Sequence, residues 1–216
     1  MLPARIRDKI MEQQIQKVIY SLNMKKFIKV GIVFLFVTGI FNTHSLFAEK
    51  NPVSLKSGSI SVLKTPSEAL LEVDYSEAKV GDKTIDEYLQ ERGEDFVRDW
   101  TQDKEQAASQ FKRYFNKKNK GMKLTADEAL ASYKLVIRVQ KLDMGKATGA
   151  IFLTFAPATA GGCIMTGTID IIDLRTTEVV CNFFIDEVQG VGNFSETMRL
   201  ANMYVALADY LCRLKK

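Results

Sequence analysis

The feature that most restricts the fold of this chain is a run of three segments in its last third whose side chains alternate with period two. Residues 133–142 set Tyr133, Leu135, Ile137 and Val139 on one side and Lys134, Arg138 and Gln140 largely on the other. Residues 163–174 and 179–188 follow, with apolar sets Met165, Ile169, Ile171 and Val179, Cys181, Phe183, Ile185. Successive strand side chains point to opposite faces, so each segment reads as a strand with one face in a core and one in water.

Register decides how the last two strands pair, because a slip of one residue turns a face inside out. Placing Ile169 opposite Phe183 and Ile171 opposite Cys181 requires an odd loop, most simply Arg175-Thr176-Thr177. Cys163 then lies eight residues from the point opposite Cys181, or roughly 26 Å. A disulfide needs Cα atoms within about 7 Å, so these two should not be bonded. An odd count of Cys (163, 181, 212) leaves at least one unpaired, and buried small hydrophobes are the simpler reading of all three.

Upstream, residues 70–77 alternate Leu71, Val73 and Tyr75 with Glu72, Asp74 and Ser76, giving a first strand. Thr84-Ile85-Asp86-Glu87 has the form of a capping box. From there to about residue 118 the pattern is helical, with a break at Gly93 and Gly121 as the stop. Phe96, Val97, Trp100, Ala107, Ala108, Phe111, Tyr114 and Phe115 form one apolar stripe. Lys112, Arg113, Lys117 and Lys118 interleave with its aromatics. That is a buried stripe with cations complementing the helix C-terminus rather than a base-stacking platform. Residues 122–124 read as a short strand, and Thr125-Ala126-Asp127-Glu128 repeats the capping box before a single helical turn. Ser195 opens a closing helix with a stripe of Leu200, Met203, Tyr204, Leu207, Leu211 and Leu214.

The element order predicts an α/β (α+β) two-layer sandwich: a mixed or antiparallel sheet of about four or five strands with helices on one face. Residues 51–67, NPVSLKSGSISVLKTPS, show no sustained period and read as a linker or loose arm. The expected organisation is a linker over 49–68 and one domain over 69–216.

Residues 1–48 have a different character. Met24-Lys25-Lys26-Phe27-Ile28-Lys29 is a short basic segment, residues 30–41 carry no charge, and Asn42 to Ala48 is a polar stretch ending in a small residue. This is the plan of a secretory signal peptide over 24–48, cleaved after Ala48, and the apolar run is well short of the roughly 20 residues that span a bilayer. Residues 1–23 then read as an upstream extension, or alternatively as a cytoplasmic tail.

Placing the charges removes the apparent basicity. Seven of the 30 Lys and Arg and two of the 26 Asp and Glu lie in residues 1–48, leaving 23 basic and 24 acidic residues beyond. A nucleic-acid partner has little support from that balance. Cleavage also removes His44, the only histidine, and with it Ser-His-Asp and Cys-His chemistry and the commonest transition-metal ligand. Carboxylate, Lys and Tyr chemistry remain open. Thr166, Thr168, Asp170, Asn182 and Asp186 fall on the outer sheet face, where a Ca²⁺ site would need converging oxygens that a flat face rarely offers.

With these elements placed, ASYKLVIRVQKLD, a Gly/Ala-rich stretch, TGTIDIIDLRTTEVV, a strand ending near GVG and a C-terminal helix resemble a known pattern. The resemblance is to exported bacterial envelope domains of the curli-secretion lipoprotein (CsgG) and penicillin-binding-protein activator (LpoB) type, and to related uncharacterised exported proteins. It spans about residues 69–214 and carries over no catalytic residue. The Cys that bears lipid in the lipoprotein members has no counterpart before Cys163, which implies no stable membrane anchor after cleavage.

One segment is left without a structural assignment. Residues 147–169 carry no charge, and GKATGAIFLTFAPATAGG offers no phosphate-loop match. Pro157 and Gly161-Gly162 oppose a membrane helix. An apolar connection over 145–161 that meets a partner is the preferred reading, with Phe152, Phe155 and Pro157 as possible contacts; a membrane-entering hairpin is the alternative. The expectation is therefore an exported, soluble periplasmic accessory or protein-binding module of the bacterial envelope, non-catalytic, with no cofactor, no metal and envelope proteins as partners. The alternatives are a membrane-inserting or ring-forming secretion or assembly subunit, and an envelope enzyme using carboxylate, Lys or Tyr groups.

Overall fold

The computed structural model describes residues 51–145, 161–193 and 195–214. In chain order its elements are β1 (Val53–Gly58), α1 (Ser61–Lys64), β2 (Glu68–Asp74), β3 (Lys79–Val80), β4 (Lys83–Thr84), α2 (Ile85–Arg92), α3 (Glu94–Lys118), β5 (Lys123–Thr125), β6 (Tyr133–Asp143), β7 (Ile164–Asp173), β8 (Val179–Gln189) and α4 (Glu196–Arg213). The α/β class agrees with the alternating and helical patterns. The sheet is larger than expected, with eight strands in the order β1-β8-β7-β6-β2-β5 and the β3/β4 ribs attached beside β6. β6, β7, β8 and β1 run antiparallel, while β2 is parallel to both β5 and β6.

The extra strands are those that period-two reading misses. β1 buries Val53 alone and exposes its other residues, so it has no apolar alternation. It nevertheless pairs with β8, Val53 opposite Ile185 and Leu55 opposite Phe183, and Asn51 Nδ2 donates to the Tyr210 carbonyl at 3.1 Å. The folded part therefore begins at the start of the supposed linker. Leu63 on α1 is fully buried, which also corrects the reading of 51–67 as a loose arm.

The expected β7/β8 register holds at Ile169–Phe183 and Ile171–Cys181, but the three-residue loop does not. Ile172 pairs with Val179, a register shift, and Asp173 N donates to the Glu178 carbonyl at 3.0 Å. Residues 174–177 form the loop, with Thr177 at φ 60°, and a bulge at Val180 restores the parity that an even loop would lose. Asp173 supports the turn by accepting from the amides of Arg175 (2.8 Å) and Thr176 (3.2 Å). Cys163, Cys181 and Cys212 are all free.

The capping box at Thr84 is complete: Thr84 N donates to Glu87 Oε2 at 2.8 Å and Glu87 N to Thr84 Oγ1 at 3.3 Å. Gly93, at φ 107°, separates α2 from α3. Asn119 rather than Gly121 ends α3; Gly121 lies where a Cβ would stand 2.3 Å from the Lys64 carbonyl carbon. Residues 126–131 form a turn without a helix, because Asp127 itself accepts from Ala129 N at 2.9 Å and favours an Asx turn.

α3 and α4 lie side by side on one sheet face. Arg92 before α3 meets Glu196, Phe111 meets Tyr204, and Tyr114 meets Asp209, so the two helices run parallel. Trp100, Ala107, Phe111 and Phe115 are buried against Leu200, Met203, Tyr204, Leu207 and Leu211. Each fully buried large side chain there contributes about 2 kcal/mol. Tyr75 and Tyr204 share a hydroxyl hydrogen bond of 2.6 Å under the edge of Trp100, which satisfies both polar tips inside the core. Ser195 caps α4 by accepting from Met198 N at 3.4 Å.

Candidate partner-binding surface

The stripe predicted for α3 is buried only along its middle and end. Phe96 and Val97 in its first turn remain 39% and 47% exposed, because the first turn of α4 stops short of covering them. Met198 on α4 is also exposed, and a cleft of about 500 Å³ lies between the two helix starts, lined by Phe96, Asp99, Gln102, Asp103, Ser195 and Met198.

This end is held by a continuous polar network. Arg92 Nη1 donates to Glu196 Oε1 and Oε2 at 2.8 and 2.6 Å and to the Tyr88 hydroxyl, while its guanidinium lies 4.0 Å from the Phe96 ring centre. Burial works to lower the Arg92 pKa, but its bonds to Glu196 and Tyr88 outweigh that and leave it raised. Glu196 also faces Arg199 Nη2 at 3.7 Å. Arg199 is only 4% exposed; its Nε donates to the Met144 carbonyl (2.8 Å), Nη1 to the Asn193 carbonyl (2.9 Å) and Nη2 to the Gly145 carbonyl (3.5 Å). One buried cation thus joins the end of β6, the β8–α4 connection and α4.

Backbone packing fixes the same corner. A Cβ on Gly162 would stand 1.7 Å from the Gly190 oxygen, and one on Gly190 would stand 2.4 Å from Met203 N. Gly145 and Gly161, the two ends of the segment singled out in the sequence, also abut: a Cβ on Gly145 would be 2.5 Å from the Gly161 oxygen. Phe152, Phe155 and Pro157, and the Ala48 cleavage position, lie outside the described residues. The residues that sequence reasoning missed are Arg92, Glu196, Met198 and Arg199. An acid in the first turn of a helix, as Glu196 is, signals no more than a favourable dipole contact, and Arg199 gives no signal, since a charge beside Leu200 on a helix reads as solvated.

The outer sheet face carries a second set of paired polar groups. On the outer sheet face Arg138 bridges Asp74 and Asp170, each at 3.0 Å, and Asn182 Nδ2 donates to Asp170 at 2.5 Å. Hydrogen bonds from Ser76, then Arg138, hold the Asp74 carboxyl below its ordinary value. Among the described residues no cluster of three His, Cys, Asp or Glu has metal-holding geometry, and Thr166, Thr168, Asp170, Asn182 and Asp186 are not brought to one point. Burial pushes the thiols up, Cys163 to about 12 and Cys181 and Cys212 to about 11, and raises the Tyr75 and Tyr204 hydroxyls as well. These groups stay protonated at neutral pH. No helix among the described residues is long and apolar enough to cross a membrane.

No family model and no curated protein matches the chain. Among solved structures it is similar to the PelC dodecamer from Paraburkholderia phytofirmans, at 11% identity and a TM-score of 0.38 over 72% of this chain and 96% of that one. A single-substitution variant of the same dodecamer aligns at 13% identity and a TM-score of 0.40, covering 74% and 97% of the two chains. Similarity at that level transfers no activity, assembly or partner.

Proposed function

We propose that this chain is an exported accessory module of the bacterial cell envelope that acts by binding another envelope protein rather than by catalysis. The observation that carries the binding reading is the pair of exposed apolar side chains, Phe96 and Met198, that face each other across the cleft at the joint start of α3 and α4. Large apolar groups concentrated beside a fixed polar rim mark protein contacts more often than solvated surface. The Arg92–Glu196–Arg199 line holds that rim in place, so a partner meets an ordered surface. The resemblance to exported envelope domains and the signal-peptide plan of residues 24–48 support the compartment.

Export is tested by expressing the full chain in a bacterial host and sequencing the N-terminus of the periplasmic product. The proposal expects a start at Glu49; retention of Met1 on a cytoplasmic product contradicts it.

A further inference from the structure

The helical layer carries opposite charge at its two ends. Residues 94–106 hold Glu94, Asp95, Asp99, Asp103 and Glu105 against Arg98 and Lys104, whereas residues 107–123 hold Lys112, Arg113, Lys117, Lys118, Lys120 and Lys123 with no acid. Because α3 and α4 run parallel, their carbonyl ends meet at the basic end, each equivalent to about half a negative charge.

Two lysines already answer those dipoles. Lys123 Nζ donates to the Asn116 carbonyl at 2.6 Å and to the Asn119 carbonyl, and Lys64 Nζ donates to the Cys212 carbonyl at 3.1 Å. The remaining cations on α3 and just after it, Lys112, Arg113, Lys117, Lys118 and Lys120, exceed what dipole complementation requires. Among the described residues none of the five has a carboxylate within 4.0 Å. All but Lys112 are exposed. Half-buried Tyr114 and Tyr210 stand among them, with Lys118 5.6 Å from the Tyr114 ring centre and Arg213 5.8 Å from that of Tyr210.

We propose that this basic end docks on an anionic membrane surface, through phospholipid headgroups met end-on. At 3.6 residues per turn the helical cations spread over roughly two thirds of the circumference of α3. A small anion in a cleft reaches one or two of them; a planar surface facing the helix end meets Lys117, Lys118 and Lys120 within a Debye length, about 8 Å, with Lys112 and Arg113 set back along the flank by about 1.5 Å per residue. Tyrosines with an apolar body and a polar tip suit such an interface. The acidic opposite end orients the molecule with its basic end toward the surface. Single-stranded nucleic acid is disfavoured, because Phe111 and Phe115 are fully buried and offer no base-stacking face. The inference rests on the export reading only for which membrane is met.

The test is flotation of the full chain with vesicles of neutral phosphatidylcholine, with and without about 30 mol% phosphatidylglycerol, since each basic residue near such a surface strengthens binding about fivefold. The anionic vesicles should bind at least about tenfold more tightly, and the preference should vanish near 1 M salt, where screening is about 3 Å. The variant K112Q/R113Q/K117Q/K118Q/K120Q should lose at least about tenfold, while a charge control of the same size toward the opposite end, K79Q/K83Q/R98Q/K104Q/K141Q, should not. The leader contributes equally to all three proteins. Equal binding to both vesicle types, a preference that persists in high salt, equal loss in variant and control, or binding to soluble heparin without binding to vesicles would each overturn the proposal. A milder variant at exposed positions, K117Q/K118Q/K120Q, keeps the comparison with the parent available if the larger variant does not fold. A chain retained in the cytoplasm that still discriminates the vesicles sinks the export reading and leaves this one intact.

Discussion

Arg199 shows what a single residue can hide from a sequence. Its guanidinium is enclosed and donates to carbonyls of Met144 and Asn193, yet its neighbours in the chain give no sign of it. Replacing it with Met leaves those buried acceptors without donors and should cost about 3 kcal/mol, read as a lower urea midpoint with an unchanged slope. Gly162 is the backbone counterpart: Gly162→Ala forces a Cβ against the Gly190 oxygen and should cost at least about 2 kcal/mol, a penalty of overpacking rather than of propensity. Thiol reactivity checks the burial at Cys163, Cys181 and Cys212. With burial holding the three at about 11 to 12, iodoacetamide at pH 7.5, far below those values, should modify the native protein very slowly and all three residues after denaturation.

At the scale of elements, legibility followed periodicity. β7 and β8 bury alternate residues along most of their length, and β6 does so apart from Val136, which is buried between Leu135 and Ile137, so their faces and the Ile169–Phe183 pairing could be read directly. β1, β3 and β4 could not, because a strand with one buried residue or only two residues has no period. The loop after β7 was misjudged because a bulge and an even loop produce the same parity as an odd loop. The capping box was legible in full, since its partners are three residues apart. Glu87 is held below its ordinary value of 4.5, chiefly by the Thr84 amide and then its hydroxyl. A depressed carboxylate stabilises the fold above its unfolded value and loses that contribution as pH falls through the folded one. Glu87→Gln should therefore lower Tm at pH 7, and the gap from the parent should close as pH falls below about 4.5. Thr84→Ala should cost about 1 kcal/mol at neutral pH.

For the whole molecule, the two ends of the parallel helix pair differ in chemistry, and that asymmetry carries the functional account. The sequence points to a contact in residues 145–161; the described structure adds the surface beside the ends of that segment, built from Phe96 and Met198 on helices far apart in sequence. Such a surface is invisible in the sequence, because Phe96 matches the period of the buried stripe and only the length of the facing helix leaves it uncovered. Most direct for the central claim is site-specific photocrosslinking in living cells from Phe96 and Met198, with exposed Phe184 on the outer sheet face as the reference position. The account predicts one discrete adduct with the same envelope protein from both Phe96 and Met198 and none from Phe184. An identical adduct pattern at all three positions, or no adduct at Phe96 and Met198 in correctly exported protein, would contradict it.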